Sequence, residues 1–344
     1  VGTQVPRGLI NLTMDIQKQK TSVALLSVAS NGVLVTLKLV TGILTGSISI
    51  LSEAAHSSMD LIASTIAFFA VRISARRPDA EHPFGHGKVE DISALAEALL
   101  IVIAAVWIVV EAINKMITPH PLGTIDWGIA VMLLSVVANI VVSQLLFIVG
   151  KRADSPALIA DAWHLRTDVW TSAGVLAGLA IIWAGARLWP EVNLTWIDPL
   201  AAIVVAILIL RAALELTVNA IKDLIDTSPP AHEIYWLSNY LKSWYPTVRS
   251  IHRMRIRKSG ASRFIDLHIV VDPAMTVSDS HAITDKMIAA VREKLSGADL
   301  TVHIEPCDGI CKKSCASGCM LPINERGEIQ QAAAAAAKKA RQTV

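Results

Sequence analysis

The chain has 344 residues, of which 53% are apolar and only 17% charged, with a formal net charge of +2. Soluble domains carry about 25% charged residues, so the shortfall indicates a bilayer rather than one large water-soluble core. A near-neutral charge, with no stripe of interleaved aromatic and basic residues, excludes a nucleic-acid partner.

In chain order, residues 1–8 lack an initiator Met and any signal-peptide pattern, and are expected to be a processed or added end. A spanning helix needs roughly 20 mostly apolar residues. Six segments qualify, at about 23–48, 51–73, 92–117, 127–150, 157–183 and 198–221. The fourth contains no ionisable side chain. Turn residues separate the spans at 45–47, at 118–123 (Thr-Pro-His-Pro-Leu-Gly) and at 187–195 around Pro190. Arg72, Arg76, Arg77 and Lys88 lie between spans two and three, and Lys151 and Arg152 between four and five. The opposite side offers little beyond Lys115 and Arg187. Cytoplasmic loops carry the Lys/Arg excess, so both termini are expected in the cytoplasm. Trp127, Trp189 and Trp196 fit an interfacial belt.

After the sixth span, Thr227-Ser228-Pro229-Pro230 ends the helix and the composition turns soluble. Residues 231–245 and 278–295 read as helices, and 251–257, 263–272 and 300–305 as strands, the first two joined at 258–262. This αββαβ order describes a small α+β domain. The expected organisation is therefore a six-helix transmembrane transport domain (17–226), a cytoplasmic metal-binding and dimerisation domain (227–306) and a cysteine-containing flexible tail (307–344). Within the tail, residues 330–339 with their run of alanines are expected to be frayed or weakly helical.

Ionisable residues inside spans are costly and usually functional. Span two contains His56-Ser57-Ser58-Met59-Asp60 and span five His164-Leu165-Arg166-Thr167-Asp168. At i,i+4 spacing both members of a pair share one helix face. A lone His-x-x-x-Asp is more often a local hydrogen-bonded pair, but recurrence in a second lipid-buried helix favours ligation. If the two faces meet, two imidazoles and two carboxylates converge, a tetrahedral N/O set that Zn²⁺ accepts. Neutral imidazole also suits Co, Ni or Cu, whereas an all-oxygen shell favours Mg, Ca or Mn. Asn31, Asn139 and Gln144 read as interhelical hydrogen bonds, and Lys38, Glu97 and Glu111 as snorkelling or protein-facing.

Three further groups carry ligand-type side chains. The loop Pro-Asp-Ala-Glu-His-Pro-Phe-Gly-His-Gly-Lys contains Asp79, Glu81, His82 and His86, and by spacing alone a solvated polar loop and a metal site are equally good readings. In the soluble domain, strand period puts His268 with Asp266 opposite Ile265, Leu267, Ile269 and Val271. It puts His303 with Glu305 opposite Leu300, Val302 and Ile304. His252 shares its face with Met254 and Ile256, which is a core position. His281 sits early in the second helix of that domain. Cys307, Cys311, Cys315 and Cys319 are each four apart and would form one thiol stripe on a helix, which Gly309 and Gly318 weaken. They are too local to staple a fold by disulfides. Soft-metal or cluster binding and unpaired reduced thiols both remain open for them.

These motifs resemble the cation diffusion facilitator family of six-helix, proton-coupled metal exporters. The resemblance runs from about 17 to 306 and rests on residues 52–60 (Ser-Glu-Ala-Ala-His-Ser-Ser-Met-Asp), the His-Pro-Phe-Gly-His-Gly-Lys stretch, and residues 160–168 (Ala-Asp-Ala-Trp-His-Leu-Arg-Thr-Asp). It implies a transport site at His56, Asp60, His164 and Asp168. It also implies a lower-affinity zinc site at Asp79, His82 and His86, with Glu81 as a possible extra ligand. A cytoplasmic binuclear zinc site is implied at His252, His268, His281, His303 and Glu305, where Glu305 stands in place of the usual Asp and His268 is placed to bridge two ions. Members with His at position 56 lean toward zinc, with Cd²⁺, Co²⁺ and Fe²⁺ as further candidates. Glu53 departs from the usual Asp and is expected to matter little.

The resemblance further implies a metallochaperone-like cytoplasmic domain, a homodimer, a charge interlock at Lys88 and Asp226, and Zn²⁺/H⁺ antiport out of the cytoplasm. A bacterial inner membrane is the expected location. The rival reading is a membrane-anchored metal sensor, against which the two buried ligand pairs argue. A passive channel is disfavoured by tight four-ligand coordination, since conduction needs weak or multiple sites. No nucleophile–base pair, phosphate loop or cofactor motif suggests an enzyme.

Overall fold

In the computed structural model, the described residues are 7–45, 48–117, 128–188, 196–295 and 297–342. The turn expected at 118–123 and, of that expected at 187–195, residues 189–195, together with Gly46, Ser47, Trp127 and residues 1–6, lie outside them; Arg187 and Leu188 still belong to a helix. The chain divides into two compact units, Val1–Ile225 and Asp226–Val344.

Among the described residues, the first unit holds six long helices: α1 (Arg7–Thr45), α2 (Ile48–Ser74), α3 (Lys88–Ile117), α4 (Gly128–Arg152), α5 (Pro156–Leu188) and α6 (Ile197–Leu224). Among the described residues, five of them are long and apolar enough to cross a membrane. The other, α5, has 33 residues, and many of its side chains beyond Leu176 lie outside the described set. Helix α1 packs on α2, α3 on α6 and α4 on α5, while α5 also touches α2, α3 and α6. The faces that meet are lined by small residues. Ala24, Ala54, Ala63, Ala67, Ala98, Ala157, Ala160, Ala162 and Ala213 are all fully buried. Small side chains let helix backbones approach where lipid removes the hydrophobic drive between helices. The outward faces stay apolar, with Leu25, Val33, Trp107, Leu134 and Leu208 exposed, as a hydrocarbon solvent requires.

One polar cluster clasps four segments of this unit. Buried Glu90, in the first turn of α3, receives the Lys20 ammonium of α1 at 2.5 Å and the Ser74 hydroxyl of α2 at 2.5 Å. The hydroxyl of Ser155, in the α4–α5 turn, donates to its other oxygen. Helix α1 starts well before its apolar stretch, and that extension is what carries Lys20 to the clasp. Farther along, Lys38 donates to Ser57 at 2.7 Å and lies 3.3 Å from Glu53. The Lys88 ammonium donates to the Leu224 carbonyl at 3.1 Å, tying the start of α3 to the end of α6.

The second unit is α7 (Ala231–Lys242), β1 (Ser250–Ser259), β2 (Ser262–Val271), α8 (Val277–Lys294) and β3 (Ala298–Pro306), followed by α9 (Lys313–Ser317) and α10 (Ile323–Gln342). The αββαβ order is as the hydrophobic pattern predicts. Strand β2 is central, antiparallel to β1 and parallel to β3. A parallel pair needs a crossover, which α8 supplies. Thr276 caps α8 by accepting from the Asp279 N–H at 3.1 Å. Leu237 and Leu241 of α7, Met287 and Val291 of α8, and Ile265, Leu267, Ile269 and Leu300 form the core on one sheet face. The alternating residues of β2 and β3 point to the other face.

Beyond β3 the structure departs from the expected flexible tail. Residues 307–320 fold back along β1: the Ile251 N–H donates to Gly318 O at 3.1 Å and the Met320 N–H to Arg249 O at 2.8 Å. The alanine run is part of the 20-residue helix α10, since alanine has the best helix propensity of all residues.

Candidate metal centres

Among the described residues, three groups of ligand-type side chains come together, each with its ligand atoms all within 4.8 Å of one another: His56, Asp60 and Asp168; Asp79, His82 and His86; and His252, His268 and Glu305. In the membrane unit, helical periodicity puts His56 and Asp60 on one face of α2, and the contact of α2 with α5 brings Asp168 against them. His164 joins through Asp60, with its Nε2 at 3.1 Å from Asp60 Oδ1. Asp60 and His164 are buried. Two buried atoms here, His164 Nδ1 and Asp168 Oδ2, have no hydrogen-bond partner among the described residues. Buried polar atoms are normally satisfied, so these two are left able to take a further partner.

Two carboxylates that the sequence placed in no metal site, Glu97 being read as snorkelling or protein-facing, flank this group. Asp161 lies one turn before His164 on α5, and Glu97 lies on α3. Both are fully buried, and Asp161 Oδ1 and Oδ2 and Glu97 Oε2 lack hydrogen-bond partners among the described residues. Their signal in sequence is an acidic residue in the middle of an apolar span.

In the α2–α3 loop, Asp79 organises its own neighbourhood. Its Oδ1 accepts from the backbone N–H of His82 at 2.7 Å and of Glu81 at 3.1 Å. Gly85, at φ 79°, takes the left-handed conformation that turns the chain so that His86 returns to Asp79. His82 Nδ1 lies 3.3 Å from Oδ1 and His86 Nε2 3.3 Å from Oδ2, with the two rings 4.4 Å apart. The His82 backbone N–H holds the Asp79 carboxyl below the usual carboxylate range. His86 Nδ1 is buried without a partner among the described residues.

The third group sits on the open sheet face. In register, His252 of β1 pairs with His268 of β2, and His268 with His303 of β3, so three imidazoles form a row across the sheet. Ring centroids are 5.3 Å apart for His252 and His268 and 4.5 Å for His268 and His303. Glu305 reaches His268 Nδ1 at 2.8 Å and His252 Nε2 at 3.3 Å, and lies 3.8 Å from His303 Nε2.

The core position that strand period assigns to His252 is wrong. A bulge between His252 and Arg255, with Arg253 at φ 52°, inserts one residue into β1. An extra residue flips everything on one side of it to the other face. Met254 and Ile256 thus face the core while His252 faces His268. His281 is exposed on α8, 3.5 Å from Asp285, and is not among the three residues that converge. Asp226 pairs with Arg257 at 3.6 Å.

Burial pulls the His252 imidazole below its ordinary value, and the His268 hydrogen bond pulls the Glu305 carboxyl down. Both groups bind fewer protons folded than unfolded, so stability rises with pH across each window. The His252 contribution is complete above about 6.5 and is lost as pH falls through the lower folded value; the Glu305 contribution is lost in the same way below about 4.5. Because ligation needs the deprotonated forms, metal held by this group would be released on acidification. Metal titrations of the cytoplasmic unit at stepped pH check this. Affinity that rises on acidification contradicts it.

Ligand-type side chains held inside apolar helices define a cation-handling membrane protein. Residues 24–225 match the cation efflux transmembrane domain, and residues 229–307 match the cytoplasmic domain of cation efflux proteins. The chain is 33% identical over 283 residues to an uncharacterized transporter of Synechocystis, covering 82% of this chain and 89% of the relative. It is 31% identical over 285 residues to the cation-efflux pump FieF of Pectobacterium atrosepticum, covering 83% and 88%. The metal-bound C-terminal domain of the CzcD transporter from Thermotoga maritima is 32% identical, over 23% of this chain and 94% of that one, with a TM-score of 0.21. The chain belongs to the cation diffusion facilitator family and is a membrane-spanning cation efflux transporter.

Proposed function

We propose that the protein exports Zn²⁺ from the cytoplasm in exchange for protons, with His56, Asp60, His164 and Asp168 as the transport site. The observation that carries this reading is the convergence of His56, Asp60 and Asp168 within 4.8 Å, with His164 3.1 Å from Asp60. Two imidazoles and two carboxylates suit a tetrahedral zinc ion. Donor chemistry alone also accepts Cd²⁺, Co²⁺ and Fe²⁺; the zinc preference is what the family resemblance implies for a His at position 56.

Proton coupling follows from the donor chemistry. Imidazole must be neutral and carboxylate ionised to ligate, so metal and protons compete for the same atoms. His exchanges a proton near neutral pH. Cytoplasmic Zn²⁺ displaces protons from His56 and His164, and the His164–Asp60 hydrogen bond gives way as both turn to the ion. The helices then rock, and protons from the far side displace the metal. In this reading both termini face the cytoplasm of a bacterial inner-membrane protein. Asp79, His82 and His86 collect metal at the cytoplasmic loop. His252, His268, His303 and Glu305, with His281 closing in, hold zinc in the cytoplasmic unit, which pairs two copies into a homodimer.

Everted membrane vesicles test the coupling. Zinc uptake is expected to accelerate when an inward-acid pH gradient is imposed and to slow when an ionophore collapses it. Uptake indifferent to the gradient sinks the antiport.

A further inference from the structure

The four cysteines are not required by the transport reading, yet the fold gathers them. Cys307 follows β3 directly, and its N–H donates to Val271 O at 2.9 Å. Cys311 lies in the loop after it. Cys315 is on α9, its carbonyl accepting from the Ser250 hydroxyl at 2.9 Å, and Cys319 pairs with Ser250 in a β-bridge. Four different local structures therefore carry the four thiols, and no single helix makes a stripe of them. All four line one small cavity, of about 10 Å³, together with Arg249 and Arg326. All are free thiols and partly buried.

The glycines make this wrapping possible. A Cβ on Gly318 would overlap the Ile251 carbonyl, so only glycine lets the loop lie against β1. Gly309, at φ 75°, takes a left-handed turn where a Cβ would meet Ile329 O and Ala333 of α10. The segment thus closes around the cavity from both sides, with α10 as its outer wall.

The geometry points to a tetrathiolate site that holds one thiophilic divalent ion, Cys307, Cys311, Cys315 and Cys319 being its ligands. Thiolate sulfur selects zinc-like and softer ions over Mg²⁺ or Ca²⁺. The small cavity suits a single ion. Each thiol loses its proton to solvent on ligation, and the resulting centre carries net negative charge. Arg326 and Arg249, the latter also paired with Asp272, face that charge. Among the described residues no three of the sulfurs lie within 4.8 Å of one another, unlike the three groups above. Ligation therefore draws the loop inward by side-chain rotation, pinning α10 and the loop to β1.

Cobalt titration of the full chain, purified anaerobically in detergent, tests the site. The chain has only these four cysteines, so thiolate-to-cobalt charge-transfer absorption reports on them alone, whatever the His and Asp groups bind. The expected result is a charge-transfer band on adding Co²⁺ that zinc bleaches. The band is lost or several-fold weaker in Cys311→Ser/Cys315→Ser and unchanged in His268→Ala and Asp168→Ala. A parent chain that binds cobalt without the band overturns the proposal even if the double variant misfolds, as does a band that survives in a folded double variant. Iron with acid-labile sulfide bound at the cysteines would overturn the single-ion assignment.

Discussion

Asp60→Ala is expected to abolish metal transport while leaving the chain inserted and folded. Asp60 belongs to the group with His56 and Asp168 and is also the partner of His164, so it links the α2 and α5 halves of the centre. Even outer partners of a metal ligand cost about 10–100-fold in affinity when removed, so if Asp60 ligates directly as proposed, its loss should exceed about 100-fold. Alanine keeps α2 helical, and the main stability penalty is the His164 imidazole left buried beside a gap, about 1–3 kcal/mol. Asp60→Asn keeps the shape but not the charge, and should bind metal little better. Calorimetric zinc binding on the two variants, with transport assayed alongside, checks the expectation. Near-parental transport by Asp60→Ala would remove this residue from the pathway.

Glu90→Ala has the largest expected effect on stability. It strips the Lys20 ammonium and the Ser74 and Ser155 hydroxyls of their common partner in a buried site. Breaking a buried ion pair from one side costs about 3–5 kcal/mol, because the remaining charge stays out of water. Glu90→Gln should cost less, since its carbonyl still accepts from a serine. Replacing both partners, as in Lys20→Met with Glu90→Met, should recover much of the loss, because apolar groups of similar volume often substitute for a buried pair at little cost. Thermal unfolding in detergent separates these cases. A melting temperature indifferent to Glu90→Ala would mean that the clasp contributes nothing.

The transmembrane half of this architecture was legible because it rests on local periodicity. Apolar run length locates spans, and i,i+4 spacing puts His56 with Asp60 and His164 with Asp168 on shared faces. The Glu90 clasp was not legible, since its partners come from three other segments, up to 70 residues from Glu90, and each alone is an ordinary polar residue. His252 shows how one inserted residue defeats a period-two reading: the bulge at Arg253 leaves no mark in the hydrophobic pattern, whereas His268, on an unbroken strand, falls where alternation puts it. The cysteines stayed open for another reason. Their spacing of four would make a stripe only on a helix, and the two glycines that weaken a helix are the residues that let the chain wrap against β1 and α10. Glu97 and Asp161 were visible as acidic residues in apolar spans, yet only packing shows that both are fully buried beside the His–Asp centre.

The most direct test of the central claim is Zn²⁺ transport in proteoliposomes, with a metal dye and a pH dye read together, for the parent chain and Asp168→Ala. Zinc flux with opposing proton movement in the parent, and neither in the variant, is the predicted result. Zinc flux without proton movement, or flux that Asp168→Ala leaves unchanged, would contradict a proton-coupled site at His56, Asp60, His164 and Asp168.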